Sequence, residues 1–171
     1  MQMTVHITNL DRTEERLSAL GASLTDFQEA LTGLGESLKL FYGDTVFGSQ
    51  GQALGHAWTP LSATYDQWKA KHYPGRGILE QTGTMRKSFY AKATPMTLFV
   101  GNSDVKFPWH QLGTGYGGGA TFGIGNGGGA RIGRGRNLPA RPMIGVNSKV
   151  ESMVVSAIEA DVKAKIASTN I

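Results

Sequence analysis

The chain has no cysteine at all. A disulfide framework, a thiolate zinc site and a thiol nucleophile are therefore excluded. No stretch approaches the roughly 18 consecutive apolar residues of a membrane span. The start, Met1-Gln-Met-Thr-Val-His-Ile, lacks the basic and apolar regions of a secretory signal. Those two readings predict a cytosolic setting and no membrane partner. Carboxylates are also missing where they are most informative. From Val105 to Lys149 there is no Asp or Glu, while Lys106, Arg131, Arg134, Arg136, Arg141 and Lys149 give that stretch +6 in a chain of net +4. The remainder is mildly acidic. A basic character confined to one place points to an anionic or acidic partner there.

What is abundant is glycine. There are 24 in 171 residues, and 12 of them lie between residues 113 and 135. Average usage is about 7%, so the excess belongs to one segment. That segment contains Gly113-Thr-Gly115-Tyr-Gly117-Gly118 and Gly123-Ile-Gly125-Asn-Gly127-Gly128, which formally match GxGxxG. Dinucleotide binding needs such a turn between a strand and a helix N-terminus. No helical pattern follows either match, so a flexible loop is expected over 114–136. Its end, Gly127-Gly-Gly-Ala-Arg131-Ile-Gly-Arg134-Gly-Arg136, resembles the arginine-glycine segments that contact nucleic-acid phosphates. A protein partner, or a solvated loop, suits the same composition.

Periodicity divides the rest. Met1 to Ile7 alternates like a strand. A short helix is expected over Glu14 to Leu20, stopped by Gly21. Leu24, Phe27, Leu31, Leu34, Leu38 and Phe41 then form one face of an amphipathic helix, with Thr25 and Gln28 as capping box and Gly43 as C-cap. Gly33 and Gly35 inside it imply close packing or a bend. Ser62 starts, and Pro74 ends, a helix over Ala63 to Lys71. Thr84 to Lys92 and Met96 to Val100 read as a hairpin turning near Pro95. Ser148 and Glu151 form a capping box for a last helix striped by Val150, Val154, Ile158, Val162 and Ile166. The expected fold class is α+β. One domain of 1–171 is expected, with N- and C-terminal helices on one face of a small antiparallel sheet and the Gly/Arg-rich insertion between motifs.

Catalytic constellations are wanting. His6, His56, His72 and His110 have no i, i+4 partner and no HExxH context, and no serine lies in a GxSxG elbow. No enzyme, metal or cofactor is expected.

Six short pieces, taken in order, resemble the phage virion morphogenesis family, the tail-completion proteins of Mu-like and related tailed phages. They are Trp58-Thr-Pro60-Leu61-Ser62; Tyr65 with Lys69; Ile78-Leu79-Glu-Gln-Thr82-Gly83-Thr-Met-Arg-Lys-Ser88; Val100-Gly101; His110-Gln111-Leu-Gly113; and Leu138-Pro139-Ala140-Arg141-Pro142-Met-Ile-Gly145. Two departures stand out. Phe107-Pro108-Trp109 replaces a tyrosine-alanine pair before His110, and Met143 replaces an aromatic. Each piece has a structural reading of its own. Trp58 is expected in the core, Pro60 stiffens the next segment, and Thr82-Gly83 makes a turn with positive φ. His110 is expected to hold loop backbone through hydrogen bonds. Pro139 and Pro142 keep the chain extended, with Arg141 set to pair with a carboxylate.

The resemblance implies a non-enzymatic virion protein of the tail or neck, present in the host cytoplasm during assembly. It implies a homo-oligomeric ring, a hexamer, between the tail tube protein and the head-tail connector or stopper proteins, with packaged DNA in its lumen. Residues 1 to 36 carry a net −4 and the Arg-rich stretch is basic, so the two are candidate complementary faces. Arg131, Arg134, Arg136 and Arg141 are then the expected contacts to partner or DNA. A nucleic-acid-binding module using the Arg/Gly segment is the alternative.

Overall fold

A computed structural model describes residues 10–114 and 138–168. The strand expected over Met1 to Ile7 and the loop bearing Arg131, Arg134 and Arg136 lie outside the described residues. The order is α1 (Leu10–Ser23), α2 (Gln28–Leu40), a π-helical stretch (Phe41–Val46), a 3-10 turn (Gln52–Leu54), α3 (Ala63–His72), α4 (Thr84–Lys87), β1 (Phe89–Thr94), β2 (Thr97–Asn102), α5 (Phe107–Leu112) and α6 (Ser148–Ser168). The strands form an antiparallel hairpin with Thr94 opposite Thr97, so Pro95 does sit in the turn. Helix α2 packs on this sheet and α6 packs on α2, an α+β arrangement.

Local chemistry explains where the elements end. Helix α1 is longer than expected, running through Gly21 to Ser23. It closes where Ser23 Oγ donates to Leu20 O and Thr25 Oγ1 donates to Ala22 O. Thr25 therefore finishes α1 and does not cap α2. The α2 start is fixed by Asp26, whose Oδ1 accepts from Gln28 N at 2.8 Å. Gly43 is likewise no cap. The helix widens there into π geometry, leaving Thr45 exposed and Val46 fully buried. A Cβ on Gly43 would lie 3.0 Å from Arg86 O, so the glycine admits the backbone of α4. The first residues of the expected Thr84 to Lys92 strand form α4, and the strand begins only at Phe89.

Helix α6 opens on Asn147, not on a Ser148/Glu151 box. Asn147 Oδ1 accepts from Val150 N at 3.0 Å, and its Nδ2 donates to Ala53 O at 2.7 Å, capping the helix and tying it to the 3-10 turn at once. The packed line of α6 follows Val150, Met153, Ala157 and Ile158. Val154 and Ile166 of the expected stripe are 38% and 43% exposed. Lys165 reaches across to α2, pairing with Asp161, donating to Asp26 O and lying 4.3 Å over the Phe27 ring.

The core is a chain of rings. Phe89 contacts Tyr42, Phe47 and Phe107 at centroid distances of 6.1 Å, and Phe47 meets Trp58 edge-on at 5.2 Å. Phe47, Met143 and Val46 are its most buried side chains.

The two α2 glycines separate cleanly. A Cβ at Gly35 would lie 2.8 Å from Ala91 Cβ and 3.1 Å from Leu98 Cδ1, whereas one at Gly33 meets nothing within 4 Å. Alanine gains up to about 1 kcal/mol of helix propensity at either position. At Gly35, overpacking of about 1–3 kcal/mol opposes that gain. Gly33→Ala is therefore expected to raise the urea midpoint and Gly35→Ala to lower it.

Candidate functional site

The pieces around Trp58, Gln111 and Arg141 meet in one corner of the fold, while Val100 and Gly101 lie on β2 opposite Ala91 and Tyr90. Trp58 is buried, and its Nε1 donates to Pro142 O at 2.8 Å. Arg141 is only 5% exposed. Its Nε donates to Thr59 O at 2.9 Å and its Nη2 to Pro60 O at 3.3 Å. This corrects two expectations for Arg141: it binds backbone carbonyls and no carboxylate, and it is a buried tie between segments, not an exposed contact. Gln111 does still more. Its Nε2 donates to Ile144 O at 2.7 Å, while its Oε1 accepts from Met143 N at 2.7 Å and Ile144 N at 3.1 Å. Tyr42 completes the corner by donating to Gly145 O at 2.8 Å.

The glycines of these pieces have geometric duties. Gly83 adopts φ +77° and begins α4. Gly113 has φ +72°, and a Cβ there would fall 2.8 Å from Ala140 N and 2.9 Å from Leu138 O. The backbones of the two pieces touch at that glycine. Next to it, Thr114 N donates to Leu138 O at 2.9 Å and Leu138 N to Thr114 Oγ1 at 2.7 Å. The chain on either side of residues 115–137 is thus joined directly. Thr82 accepts from Thr84 N and shares a 2.8 Å hydrogen bond with its hydroxyl, turning the chain into α4.

His110 and Gln111 lie on α5, with Pro108 in its first turn. Pro108, part of the departure before His110, therefore starts a helix. His110 also departs from expectation. Its carbonyl accepts from Arg141 N, but its ring Nδ1 is buried without a hydrogen-bond partner. Burial, reinforced by the Arg141 cation, holds its pKa below the ordinary value.

These elements enclose a cleft of about 1200 Å³. One wall is α3, with Tyr65, Trp68 and Lys69. The others are Pro60 and Leu61, the turn carrying Leu79 and Thr82, His110 on α5, and Leu138, Pro139 and Arg141. Leu79 holds φ +64°, a left-handed conformation costing a non-glycine residue on the order of 1–3 kcal/mol. Tyr65 and Trp68 stack at 5.6 Å and are each 42% exposed. Trp68 stacks in turn on His72 at 4.6 Å.

Two cations are buried in the wall. Lys69 is 4% exposed and donates to Gly77 O. Desolvation lowers its pKa; Glu80 and Asp66 partly oppose this and Arg141 adds to it. Arg141 is lowered by desolvation as well. Among the described residues neither cation has a carboxylate within 4.0 Å. Glu80 is taken by Arg86 at 2.9 Å, and Arg86 also holds Asp44 at 2.8 Å. Asp104 on the rim accepts from Lys106 N. No group of histidine and carboxylate side chains among the described residues is arranged to hold a metal.

The wall has a pH signature. His110 binds its proton less readily in the folded chain than in the unfolded one, whose pKa is about 6.5. Its contribution to stability is present above that value and is lost as pH falls through the lowered folded pKa. Urea midpoints measured from pH 7 to pH 5 are expected to fall, and to fall less in His110→Asn.

Sequence reasoning named most of this corner but missed Asn147, Tyr42 and the Arg86 clasp. Only Asn147 had a local signal, an asparagine directly before a helix start.

The phage virion morphogenesis family matches residues 8–163, and the chain belongs to that family. Its role is therefore in the structure or assembly of a phage virion. No curated protein and no solved structure matches the chain. Among the described residues no helix is long and apolar enough to cross a membrane.

Proposed function

We propose that the protein is a non-enzymatic component of the head-tail junction, a tail-completion, tail-terminator or neck protein. It acts as a homo-oligomeric ring, a hexamer, that contacts the tail tube on one side and the connector or stopper proteins on the other. The observation that carries the reading is the convergence of the family's pieces on a hydrogen-bonded scaffold, with Trp58, Gln111 and Arg141 all committed to backbone partners. Such residues build a rigid shape to be recognised. Rings that close by rotation need two different complementary faces on each subunit. The exposed Glu14, Glu15, Glu29 and Glu36 supply an acidic one. Arg131, Arg134 and Arg136 supply basic groups for a neighbour or for DNA in the lumen.

Phage assembled without the protein should accumulate separate filled heads and tails in negative-stain images. Reversing Arg131, Arg134 and Arg136 to glutamate should reduce infectious particles to a comparable extent. Normal particles in the absence of the protein would overturn the reading. Tight duplex binding by the isolated protein, falling steeply with salt, would favour the nucleic-acid module instead.

A further inference from the structure

We propose that the cleft beside α3 receives the first two turns of helix α1 from a neighbouring copy of the chain. The inference rests on the ring reading above and names the contact that would close it. Helix α1 has 14 residues, and none of its described side chains is buried. Short helices draw most of their stability from packing, and beyond its contact with α6 this one leaves Glu14, Glu15 and Leu17 exposed. Glu14 and Glu15 point into solvent, and Leu17 is 57% exposed. Glu14 and Glu15 thus put two exposed carboxylates within one turn of Leu17.

The cleft has the opposite character. Among the described residues, the buried Lys69 and Arg141 of its wall have backbone carbonyls but no carboxylate as partners, and the buried His110 Nδ1 has no hydrogen bond. A buried cation is costly until a counter-charge reaches it. Carboxylates of a neighbour seated at the mouth, beside the exposed Lys106, would supply that charge at a distance and leave Arg141 on its carbonyl partners. Tyr65 and Trp68 give the mouth an exposed aromatic surface against which a leucine can pack. The cleft, of about 1200 Å³, is open to solvent. In its own subunit α1 lies against α6, so helix and cleft form a donor and acceptor pair that repeats head to tail around a ring.

The absence of cysteine makes the test clean. Leu17→Cys and Tyr65→Cys are introduced together, and assembled tails are oxidised and run on a non-reducing gel. The expected result is a ladder of covalent multimers ending at the ring size, while either single variant leaves monomers. Glu14→Lys with Glu15→Lys should abolish the ladder, and adding Lys106→Glu at the exposed rim should restore part of it. Rings visible on tails but no ladder, or a disulfide formed within one subunit, would overturn this contact and leave the ring reading standing. Tails that carry no ring of this protein would overturn the ring reading itself, and the contact with it.

Discussion

Trp58→Ala is expected to leave the protein largely unfolded near neutral pH or, at best, to displace its urea midpoint drastically. Removing a buried tryptophan costs about 3–5 kcal/mol in transfer and cavity terms. A domain of this size has only about 5–15 kcal/mol of net stability. Trp58 has more to lose than apolar contact, because its indole also satisfies Pro142 O. Trp58→Phe separates the two contributions. It keeps a ring against Phe47 but orphans the carbonyl, and should cost about 1–3 kcal/mol. Unfolding is best followed by far-UV circular dichroism, since Trp68 and Trp109 complicate fluorescence. A Trp58→Ala midpoint within experimental error of the parent would refute the placement of this residue in the core.

The second large effect is expected at Gln111. One side chain answers three backbone groups of Met143 and Ile144. Leucine has nearly the same volume and answers none of them. Unsatisfied buried groups cost about 1–3 kcal/mol each, so Gln111→Leu should lose about 3 kcal/mol once water reaches part of the half-buried site. Gln111→Glu retains the acceptor for both N–H groups and loses only the donor to Ile144 O. It should fall between parent and leucine variant. Amide hydrogen exchange at Met143 and Ile144 reads the effect locally. Protection there should collapse in Gln111→Leu and persist in part in Gln111→Glu. Unchanged protection in both would mean that the 143–144 segment is held by something else.

Which parts of this structure could be read from sequence follows from where the deciding interactions lie. The α3 boundaries were legible because the deciding residues adjoin the helix: Ser62 takes the extended N-cap conformation, though its hydroxyl makes no capping bond, and Pro74 follows the last turn. The hairpin turn at Pro95 was legible for the same reason. Gly35 advertised a close approach, and β1 and β2 supply it through Ala91 and Leu98. Gly43 and Arg141 were misread because their local chemistry is ambiguous. A glycine after a helical stripe serves equally as a cap or as a place for another backbone to enter. An arginine between prolines pairs with carboxylates or carbonyls, depending on what the fold brings opposite. Ser148 and Asn147 compete for one cap, and the distant Ala53 carbonyl gives Asn147 a second attachment. The cleft itself was invisible, although most of the residues around it had been singled out. Its cationic wall exists only once α3 and the segment after Leu138 are side by side.

The direct hydrogen bonds between Thr114 and Leu138 also bear on how this fold can vary. Those bonds hold the two ends of the span together from within the described fold. The entropic cost of closing a loop grows so slowly that doubling its length adds about 0.6 kcal/mol. In closure entropy alone, a change in the number of residues between Thr114 and Leu138 therefore costs the fold little.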